Sequence, residues 1–288
     1  MMEDVRVLLA SVYSPSIEIL STQSVGGGSI NQTLLLTLSN GEKVFLKHND
    51  HPPQDFFKRE AAGLRLLGQS KTGPRVPRPL AWQSRFLIME FIQEQAPSAD
   101  FYPDFGRALA DMHRRTQDRY GLDHDNHIGS TPQKNTLEKD GLTFFRDHRL
   151  RFQQKLARDR GRLPKSLDLK LDSLFKKLDT ILDLTGEQPA LVHGDLWSGN
   201  YFCDASQRAC IFDPAVHFGL RETDLAMMEL FGQPPQTFYK AYQEAFPSPS
   251  GYSERREIYN LYHLLNHVNL FGSSYLSSVE STVNRFIR

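Results

Sequence analysis

Three polar residues that could carry out phosphoryl transfer lie close together in the second half of the chain. Asp195 precedes Asn200 by five positions, and Asp213 follows after a short predicted hairpin. A hydroxyl nucleophile needs a carboxylate that orients it and accepts its proton, and Asp195, which follows the small Gly194, suits that role. The Asn200 amide and the Asp213 carboxylate offer the hard oxygen ligands that Mg²⁺ prefers. The spacing is typical of a kinase catalytic loop and indicates transfer of a phosphoryl group.

The first ninety residues contain groups that could hold the phosphates of a nucleotide. Gly26, Gly27, Gly28 and Ser29 lie between two predicted strands. Because glycine has no Cβ, backbone N–H groups in such a loop can approach phosphate oxygens closely. Lys47 ends the third predicted strand, where it could neutralise phosphate charge.

Two further features complete the predicted nucleotide site. Glu60 lies on the helix predicted after the third strand, where it could form an ion pair with Lys47. An apolar run then connects the two halves of the chain, and its backbone could bond to the edge of adenine. The residues of this run that we place beside ATP are Met89, Glu90, Phe91 and Ile92. Each motif is weak alone, but their order along the chain predicts a kinase, and no G-x4-G-K-[ST] or G-x-S-x-G motif offers a competing chemistry.

Hydrophobic patterning predicts how the chain positions these residues. Three antiparallel strands are expected first, joined in part by the hairpin signal Asn40-Gly41, followed by one helix that ends near Gly68. The predicted strands are 17–25, 30–38, 42–47 and, after a proline-rich loop at 71–79, a buried strand at 85–92. Helical periodicity dominates afterwards, at 105–113, 144–156, 167–184 and 222–231.

One short region interrupts the helical half. A strand is predicted at 190–192, then a loop at 193–200, then a hairpin whose strands are 201–203 and 209–213. We therefore predict an α+β, two-lobed, protein-kinase-like fold. Its small antiparallel β-rich N-terminal lobe would take residues 1–92 and bind the nucleotide. Its larger, mainly helical C-terminal lobe, residues 93–288, would carry the catalytic loop and the substrate.

Composition excludes several classes of protein. The 288 residues include 34 Lys and Arg and 34 Asp and Glu, so the formal net charge is zero, which disfavours a nucleic-acid partner. The longest stretch without charged residues, 258–279, contains His263, Asn266, His267 and Asn269, which favours a buried or cleft-lining helix over a membrane span. The start of the chain lacks the pattern of a secretion signal, and cysteine is sparse. We therefore expect a cytoplasmic protein with no membrane partner.

Several residues also have purely structural interpretations. Asp224 could cap the helix that it begins, or buttress the catalytic loop. Cys203 and Cys210 are expected to face each other across the predicted hairpin, and two thiols do not suffice for a zinc site. His263 and His267, four residues apart, are expected to pack with hydrogen bonds. The basic runs 149–151 and 158–162 are expected to form solvated helix faces.

The catalytic-loop segment HGDLWSGN, residues 193–200, followed by Phe212-Asp213-Pro214-Ala215, resembles the fructosamine kinase (ketosamine kinase) family, a small-molecule branch of the protein-kinase-like fold. Trp197 is the most discriminating residue of this segment. The similarity extends over nearly the whole chain, with the further motifs GGGSIN at 26–31, VFLK at 44–47, VPRPL at 76–80, IMEFI at 88–92, TFFRDHRL at 143–150 and LLNHVNLFG at 264–272.

The resemblance implies ATP- and Mg²⁺-dependent phosphorylation of the 3-hydroxyl of ketosamines, the fructosamine or ribulosamine adducts formed when sugars glycate amines. A phosphate at C3 lies β to the C2 carbonyl and can leave by elimination, which would release the amine. On this interpretation Trp197 stacks on the sugar or its attached chain, His193 lies on the substrate side or braces the loop, and the polar segment 121–136 forms a substrate-side loop. The partner would be a small-molecule or protein-bound ketosamine, and the enzyme a monomer or weak homodimer.

Two alternatives stay open at this point. An aminoglycoside- or choline-type kinase would share the fold but bind a cationic substrate, usually in an acidic cleft. A catalytically silent nucleotide-binding regulator would share the nucleotide site, but the presence of all five polar residues, Lys47, Glu60, Asp195, Asn200 and Asp213, disfavours it.

Overall fold

The structure is a computed structural model that describes residues 2–26 and 30–287. Its first part contains a five-stranded antiparallel sheet with the strand order β1-β2-β3-β5-β4. The strands are β1 Ile19–Ser24, β2 Gln32–Leu38, β3 Lys43–His48, β4 Pro79–Trp82 and β5 Phe86–Glu90. The three predicted strands, their hairpin and the buried fifth strand are confirmed. The edge strand β4 was not predicted, because its proline-rich surroundings indicate a loop, yet proline is tolerated at a sheet edge.

Helices cover both faces of this sheet. Helix α1, Met2–Val12, packs Val5 and Leu9 against one face, and helix α2, Phe56–Leu67, packs Phe57 and other apolar residues against the opposite face. Successive side chains of a strand point to opposite faces, so four consecutive residues of β5 are buried, as the uninterrupted apolar run predicts. Helix α2 was predicted, whereas α1 was not.

The rest of the chain is mainly helical. The longer helices are α3 Phe101–His113, α5 Phe152–Asp159, α6 Lys165–Phe175, α8 Glu222–Leu230, α9 Gln236–Ala245, α10 Tyr252–Phe271 and α11 Leu276–Phe286. Shorter helical pieces are α4 Gly141–Thr143, α7 Leu178–Ile181, a π-helix at Phe144–Arg151 that joins α4 to α5, and a 3-10 turn at Ser273–Tyr275. The α+β class is therefore confirmed, although the helix predicted at 167–184 is two shorter ones.

Three short antiparallel strand pairs interrupt the helices. The strands are β6 Asn126–Ile128, β7 Thr131–Gln133, β8 Ala190–Val192, β9 Tyr201–Cys203, β10 Ala209–Ile211 and β11 His217–Gly219. Strand β6 pairs with β7, β8 with β11, and β9 with β10. The predicted strand at 190–192 and the hairpin after the catalytic loop are both confirmed, and the loop 193–200 lies between them.

Helix α10 runs through the core of the helical part. Tyr259, Leu261, Leu265 and Val268 are buried among residues of several helices. In the described part of the chain, no helix is long and apolar enough to cross a membrane. The expectation of a buried, cleft-lining helix in this segment is confirmed, because the polar Asn266 is also buried and lines a cavity.

The expectation for the two cysteines is wrong. Cys203 is paired with Ala209, and Cys210 with Phe202, so the cysteines do not face each other across the β9–β10 hairpin. Both thiols are free and buried.

The basic runs do not form solvated faces throughout. Arg149 is only 1% exposed and stacks on Phe144, with its guanidinium carbon 4.5 Å from the ring centroid. Arg160 and Arg162 donate hydrogen bonds to the Asn269 carbonyl oxygen near the end of α10. Cations near a helix C-terminus satisfy its free carbonyl groups, so here they serve packing.

The close contact between α3 and α9 generates a stability prediction. An alanine Cβ at Gly106 would collide with the Phe238 carbonyl oxygen and lie 3.0 Å from the Tyr242 nitrogen, and neither backbone atom can move without shifting α9. We expect Gly106→Ala to lower the free energy of unfolding by about 1–3 kcal/mol in urea denaturation. The control on the same helix is Arg107→Ala, which removes an exposed side chain and should change the free energy of unfolding by less than about 0.5 kcal/mol. An equal loss in both variants would contradict this account.

Candidate active site

A cavity of about 460 Å³ lies between the sheet and the helical part. One wall comes from β2, β3 and α2, and the other from the β6–β7 hairpin, the catalytic loop and α10. Of the predicted site residues, Lys47, Glu60, Asp195, Trp197, Asn200 and Asp213 line it. The structure therefore brings together side chains that are up to 166 positions apart in sequence.

Lys47 joins the two walls of the cavity. It lies near the end of β3, in the centre of the sheet, and is only 3% exposed. Its Nζ donates to Glu60 Oε1 on α2 at 2.6 Å and contacts Asp213 Oδ1 from the other wall. Burial alone would lower the pKa of Lys47, but the two carboxylates outweigh it and raise that pKa, so the amine stays charged.

Asp224 holds the backbone of the catalytic loop in place. From the buried side of α8, its Oδ2 accepts the His193 N–H at 2.7 Å and its Oδ1 accepts the Gly194 N–H at 2.8 Å. Gly194 has φ +83°, and a Cβ there would collide with the Ala215 carbonyl oxygen, so only glycine fits this turn. Asp224 is thus a buttress of the loop and does not cap its own helix.

A buried chain of polar groups supports Asp224 in turn. The His113 Nε2 lies 3.2 Å from Asp224 Oδ2, and the other ring nitrogen of His113 lies 2.8 Å from the Tyr242 hydroxyl. Burial alone would raise the pKa of Asp224, but hydrogen bonds from His113 and the loop amides hold that pKa below its ordinary value. The sequence contains no signal for this chain, because His113 and Asp224 are 111 positions apart.

Asp195 is placed as a base near neutral pH. Burial, together with the negative charges of Asp213 and Asp224, raises the pKa of Asp195 to about 7, and the Asn200 hydrogen bond only partly opposes this rise. A carboxyl group with such a pKa accepts a proton more readily than an ordinary aspartate.

The Asn200 and Asp213 side chains fit a divalent cation. The Asn200 Nδ2 donates to the Asp195 backbone oxygen at 2.7 Å, which fixes the amide orientation and leaves its Oδ1 as an acceptor. Asp213 adopts φ +58°, a conformation uncommon outside glycine, and only its Oδ1 contacts Lys47. Two hard oxygens beside a buried cation are a suitable donor set for Mg²⁺ bound together with phosphate.

His193 is not among the residues that line the cavity, which favours the bracing role over a place on the substrate side. It is fully buried, and its Nε2 lies 2.9 Å from the Phe212 carbonyl oxygen. The Asp195 N–H donates to its Nδ1 at 3.3 Å. His193 therefore braces the loop against the strand that leads to Asp213.

The predicted adenine-binding run lies away from the described cavity. Met89 is buried in the sheet, and the Glu90 carboxylate accepts from Arg75 Nη2 at 2.6 Å and from the Arg78 N–H at 3.3 Å. Neither they nor Phe91 and Ile92 line this cavity. Of the predicted phosphate loop, Gly26 is described and has open space around it, whereas Gly27, Gly28 and Ser29 lie outside the described residues.

Aromatic rings line another part of the cavity, called here the aromatic end, which consists of Trp197, Phe231, His267, Phe271 and Tyr275. The Trp197 indole packs edge-on to Phe231, and Gly199 leaves room for it, because a Cβ there would collide with the indole. His267 from α10 lies 4.9 Å from the Phe231 ring centroid and 4.8 Å from that of Tyr275. Trp197 is predicted from the sequence, whereas Phe231, Phe271 and Tyr275 are not. They meet because the end of α8 packs near the turn that follows α10.

Two other expectations concern this wall. Asn126 and His127, from the segment expected to form a substrate-side loop, do line the cavity. The His267 Nδ1 lies 2.7 Å from the His263 carbonyl oxygen one turn earlier, as expected for packing. Within the described residues, no cluster of three or more His, Cys, Asp or Glu side chains could hold a metal.

Comparison with known proteins agrees with this geometry. The family model described as "Fructosamine kinase" matches residues 1–288. The chain belongs to the fructosamine kinase family. It is 38% identical over 272 residues to the Synechocystis protein named "Probable ketoamine kinase", covering 92% of this chain and 90% of that protein. It is also 38% identical over 278 residues to the chloroplastic protein-ribulosamine 3-kinase of Arabidopsis thaliana, covering 94% and 84%.

Solved structures show the same fold. A candidate fructosamine-3-kinase from Thermobifida fusca superposes with a TM-score of 0.88 at 32% identity, covering 99% of this chain and 98% of that one. The ADP-bound aminoglycoside phosphotransferase APH(2'')-Ib has a TM-score of 0.61 at 17% identity, covering 95% and 96%, so it is similar in fold alone. The predicted two-lobed, protein-kinase-like fold is confirmed.

The raised pKa of Asp195 predicts a pH-dependent stability change. A carboxyl whose pKa is higher in the folded state stabilises the fold below its unfolded pKa, near 4, and that contribution is lost as pH rises toward 7. The side chain in Asp195→Asn cannot ionise. At pH 8 and without divalent cations, we therefore expect the free energy of unfolding of this variant to be about 1–3 kcal/mol higher than that of the unsubstituted protein. At pH 4 the two should be equal within error.

Urea denaturation at both pH values measures this difference. The control is Asp179→Asn, which removes one charge from an exposed position. An increase in the free energy of unfolding that is the same at pH 4 and pH 8, or that Asp179→Asn reproduces, would show that the surroundings do not destabilise the Asp195 carboxylate.

Proposed function

We propose that this protein is a ketosamine kinase that transfers the γ-phosphoryl group of ATP to the 3-hydroxyl of a fructosamine or ribulosamine. The observation that carries the proposal is the convergence of Lys47, Asp195, Asn200 and Asp213 on one cavity with an aromatic end. Family membership supports the same reaction, since the relatives are named ketoamine kinase and protein-ribulosamine 3-kinase.

Each polar residue has a distinct role in this proposal. ATP with Mg²⁺ supplies the phosphoryl group and the cations that neutralise its charge. The Asn200 Oδ1 and the Asp213 carboxylate would hold the cations, and Lys47, fixed by Glu60, would neutralise phosphate oxygens. Asp195 orients the substrate hydroxyl and accepts its proton, for which a pKa near neutrality is suited. Asp224 and His193 keep the loop in the geometry that this step needs.

The lining of the cavity favours a sugar adduct over a polycationic substrate. Among the described lining residues the carboxylates are Glu60, Asp195 and Asp213. Glu60 and Asp213 are both in contact with Lys47, and Asp195 is assigned to the base, so no acidic subsite is left for an aminoglycoside. The aromatic end, with Trp197, suits the apolar faces of a sugar or of its attached amine chain.

The proposal also covers the nucleotide contacts, the lobe boundary, the source of the substrate and the location of the protein. We place the adenine edge against the backbone of 89–92, and the phosphates under residues 26–29, with the boundary between lobes after Ile92. We propose a small-molecule or protein-bound ketosamine as substrate and a monomer or weak homodimer in the cytoplasm, the last because both cysteines are free thiols.

Turnover measurements test the proposed reaction. With Mg²⁺ and ATP, we expect consumption of ATP in the presence of a fructosamine or ribulosamine of lysine, and little with aminoglycosides or choline. Asp195→Asn should lower kcat by at least about a hundredfold, because the base is lost, while nucleotide affinity stays within about twofold. Turnover in Asp195→Asn equal to that of the unsubstituted protein would show that Asp195 is not the base. Failure of every substrate, with ATP still bound, would favour the silent regulator.

The role proposed for Trp197 has its own test. Trp197→Ala should raise KM for the ketosamine by about tenfold, because the stacking surface is lost, whereas Trp197→Phe should restore most of the affinity. KM for ATP should change by less than about twofold in both variants. A rise confined to the KM for ATP would place the indole on the nucleotide side instead.

A further inference from the structure

The Asn266 side chain on α10 is buried and polar, yet it faces the active-site cavity. The residue is 2% exposed and lines the cavity between the catalytic loop and the β6–β7 hairpin. Its Oδ1 accepts from Gln153 Nε2 at 3.2 Å and lies 2.5 Å from Thr131 Oγ1, whose single hydrogen is shared between this oxygen and the Ile128 carbonyl oxygen at 2.8 Å. Two hydrogen bonds therefore satisfy the oxygen of this amide from the side of the helical core.

The orientation of the Asn266 amide is fixed by a chain of hydrogen bonds that ends on the backbone. The Asn269 Nδ2 donates to the Gln153 backbone carbonyl at 2.9 Å, and a carbonyl can only accept. The same Nδ2 donates to Gln153 Oε1 at 2.8 Å, so the Gln153 Nε2 must point toward Asn266. Because that nitrogen needs an acceptor, Asn266 presents its oxygen to the core and its Nδ2 to the cavity.

The Asn266 Nδ2 has no acceptor among the described residues. An amide donor that is open to a cavity bonds to water or to a ligand. A fixed, unused donor in the wall of an active site is therefore suited to bind an acceptor oxygen of the substrate.

The position of Asn266 points to the sugar rather than to the nucleotide. It precedes His267 of the aromatic end and lies one turn before Leu270, which also lines the cavity. Tyr262, one turn earlier on α10, is close enough to Asp195 for the charge of that carboxylate to affect its hydroxyl. Burial chiefly, and the negative charge of Asp195 in addition, raise the pKa of Tyr262 to about 12, while Arg149 opposes this. A neutral amide also suits a hydroxyl or carbonyl oxygen better than a phosphate, which favours cations.

We propose that Asn266 is a substrate-binding residue whose Nδ2 donates a hydrogen bond to a hydroxyl or carbonyl oxygen of the sugar, beside the hydroxyl held by Asp195. This inference rests on the proposed kinase activity. It extends that activity by assigning sugar recognition to a buried network, formed by Thr131, Gln153 and Asn269, that reaches the cavity through Asn266.

The decisive variant is Asn266→Asp. Aspartate keeps an oxygen where Thr131 and Gln153 donate, and it replaces only the cavity-facing donor by a second acceptor. We expect KM for the ketosamine to rise at least about tenfold, since a carboxylate cannot donate: it would repel a carbonyl oxygen, and it would hold a hydroxyl only if that hydroxyl turned to donate. KM for ATP should stay within about twofold. Titration of the ketosamine into the protein should show the same weakening in the absence of turnover.

The matched control is Asn260→Asp. Asn260 is also buried on α10, but it does not line the cavity, so KM for the ketosamine should stay unchanged there even if stability falls. If Asn266→Asp does not fold, judged by its circular dichroism, Asn266→Ala removes the donor without adding charge and should show the same rise in KM.

The outcomes separate this inference from the proposed function. Unsubstituted protein that turns over no ketosamine contradicts the proposed function. Normal turnover with an unchanged KM in the Asn266 variants contradicts the inference alone, and so does a rise confined to ATP or one that Asn260→Asp reproduces.

Discussion

The buried ammonium group of Lys47 is the constraint to which the rest of the site is adapted. A charge that is taken out of water is strongly destabilising unless opposite charges compensate it. Glu60 compensates it from α2 and Asp213 from the other wall, so one cation connects the sheet, the helix beside it and the segment after the catalytic loop. The two walls of the cavity can come together in this way because the charges that they bury are complementary.

The catalytic loop is held by a buried charge of the opposite sign. Asp224 is buried and negative, and the loop compensates it with two backbone N–H groups while His113 contributes from α3. The loop is thereby fixed, and its base, Asp195, is held near two other carboxylates. Burial first, and repulsion by these carboxylates in addition, raise the pKa of Asp195, so the arrangement that prepares the base also costs folding free energy at neutral pH.

The cavity separates two kinds of recognition. Glu60 and Asp213 pair with Lys47, whereas another part of the lining consists of aromatic rings and the Asn266 amide. A nucleotide is recognised mainly through its phosphate charge, and a sugar adduct through stacking and neutral hydrogen bonds. The buried network behind Asn266 gives this second part of the lining a fixed orientation, which loops on the surface could not provide.

The residues that carry the chemistry can be identified without any structure. The spacing of Asp195, Asn200 and Asp213, the lysine at a strand end and the hairpin signals are local patterns, so they predicted the α+β fold, most strands and the polar centre of the site. Local patterns predict the wrong structure where neighbouring strands determine the conformation. The proline-rich segment at β4 becomes an edge strand because β5 is beside it.

The residues that support that centre become evident only when the folded chain is seen in three dimensions. His193 lies within the most informative motif, yet it is turned away from the cavity, because its ring is needed to hold the Phe212 carbonyl. His113, Phe231 and Asn266 are remote from the loop in sequence, and their roles depend on which helix faces pack together. Burial and the choice of hydrogen-bond partner arise from packing between distant segments, and no single stretch of sequence specifies them.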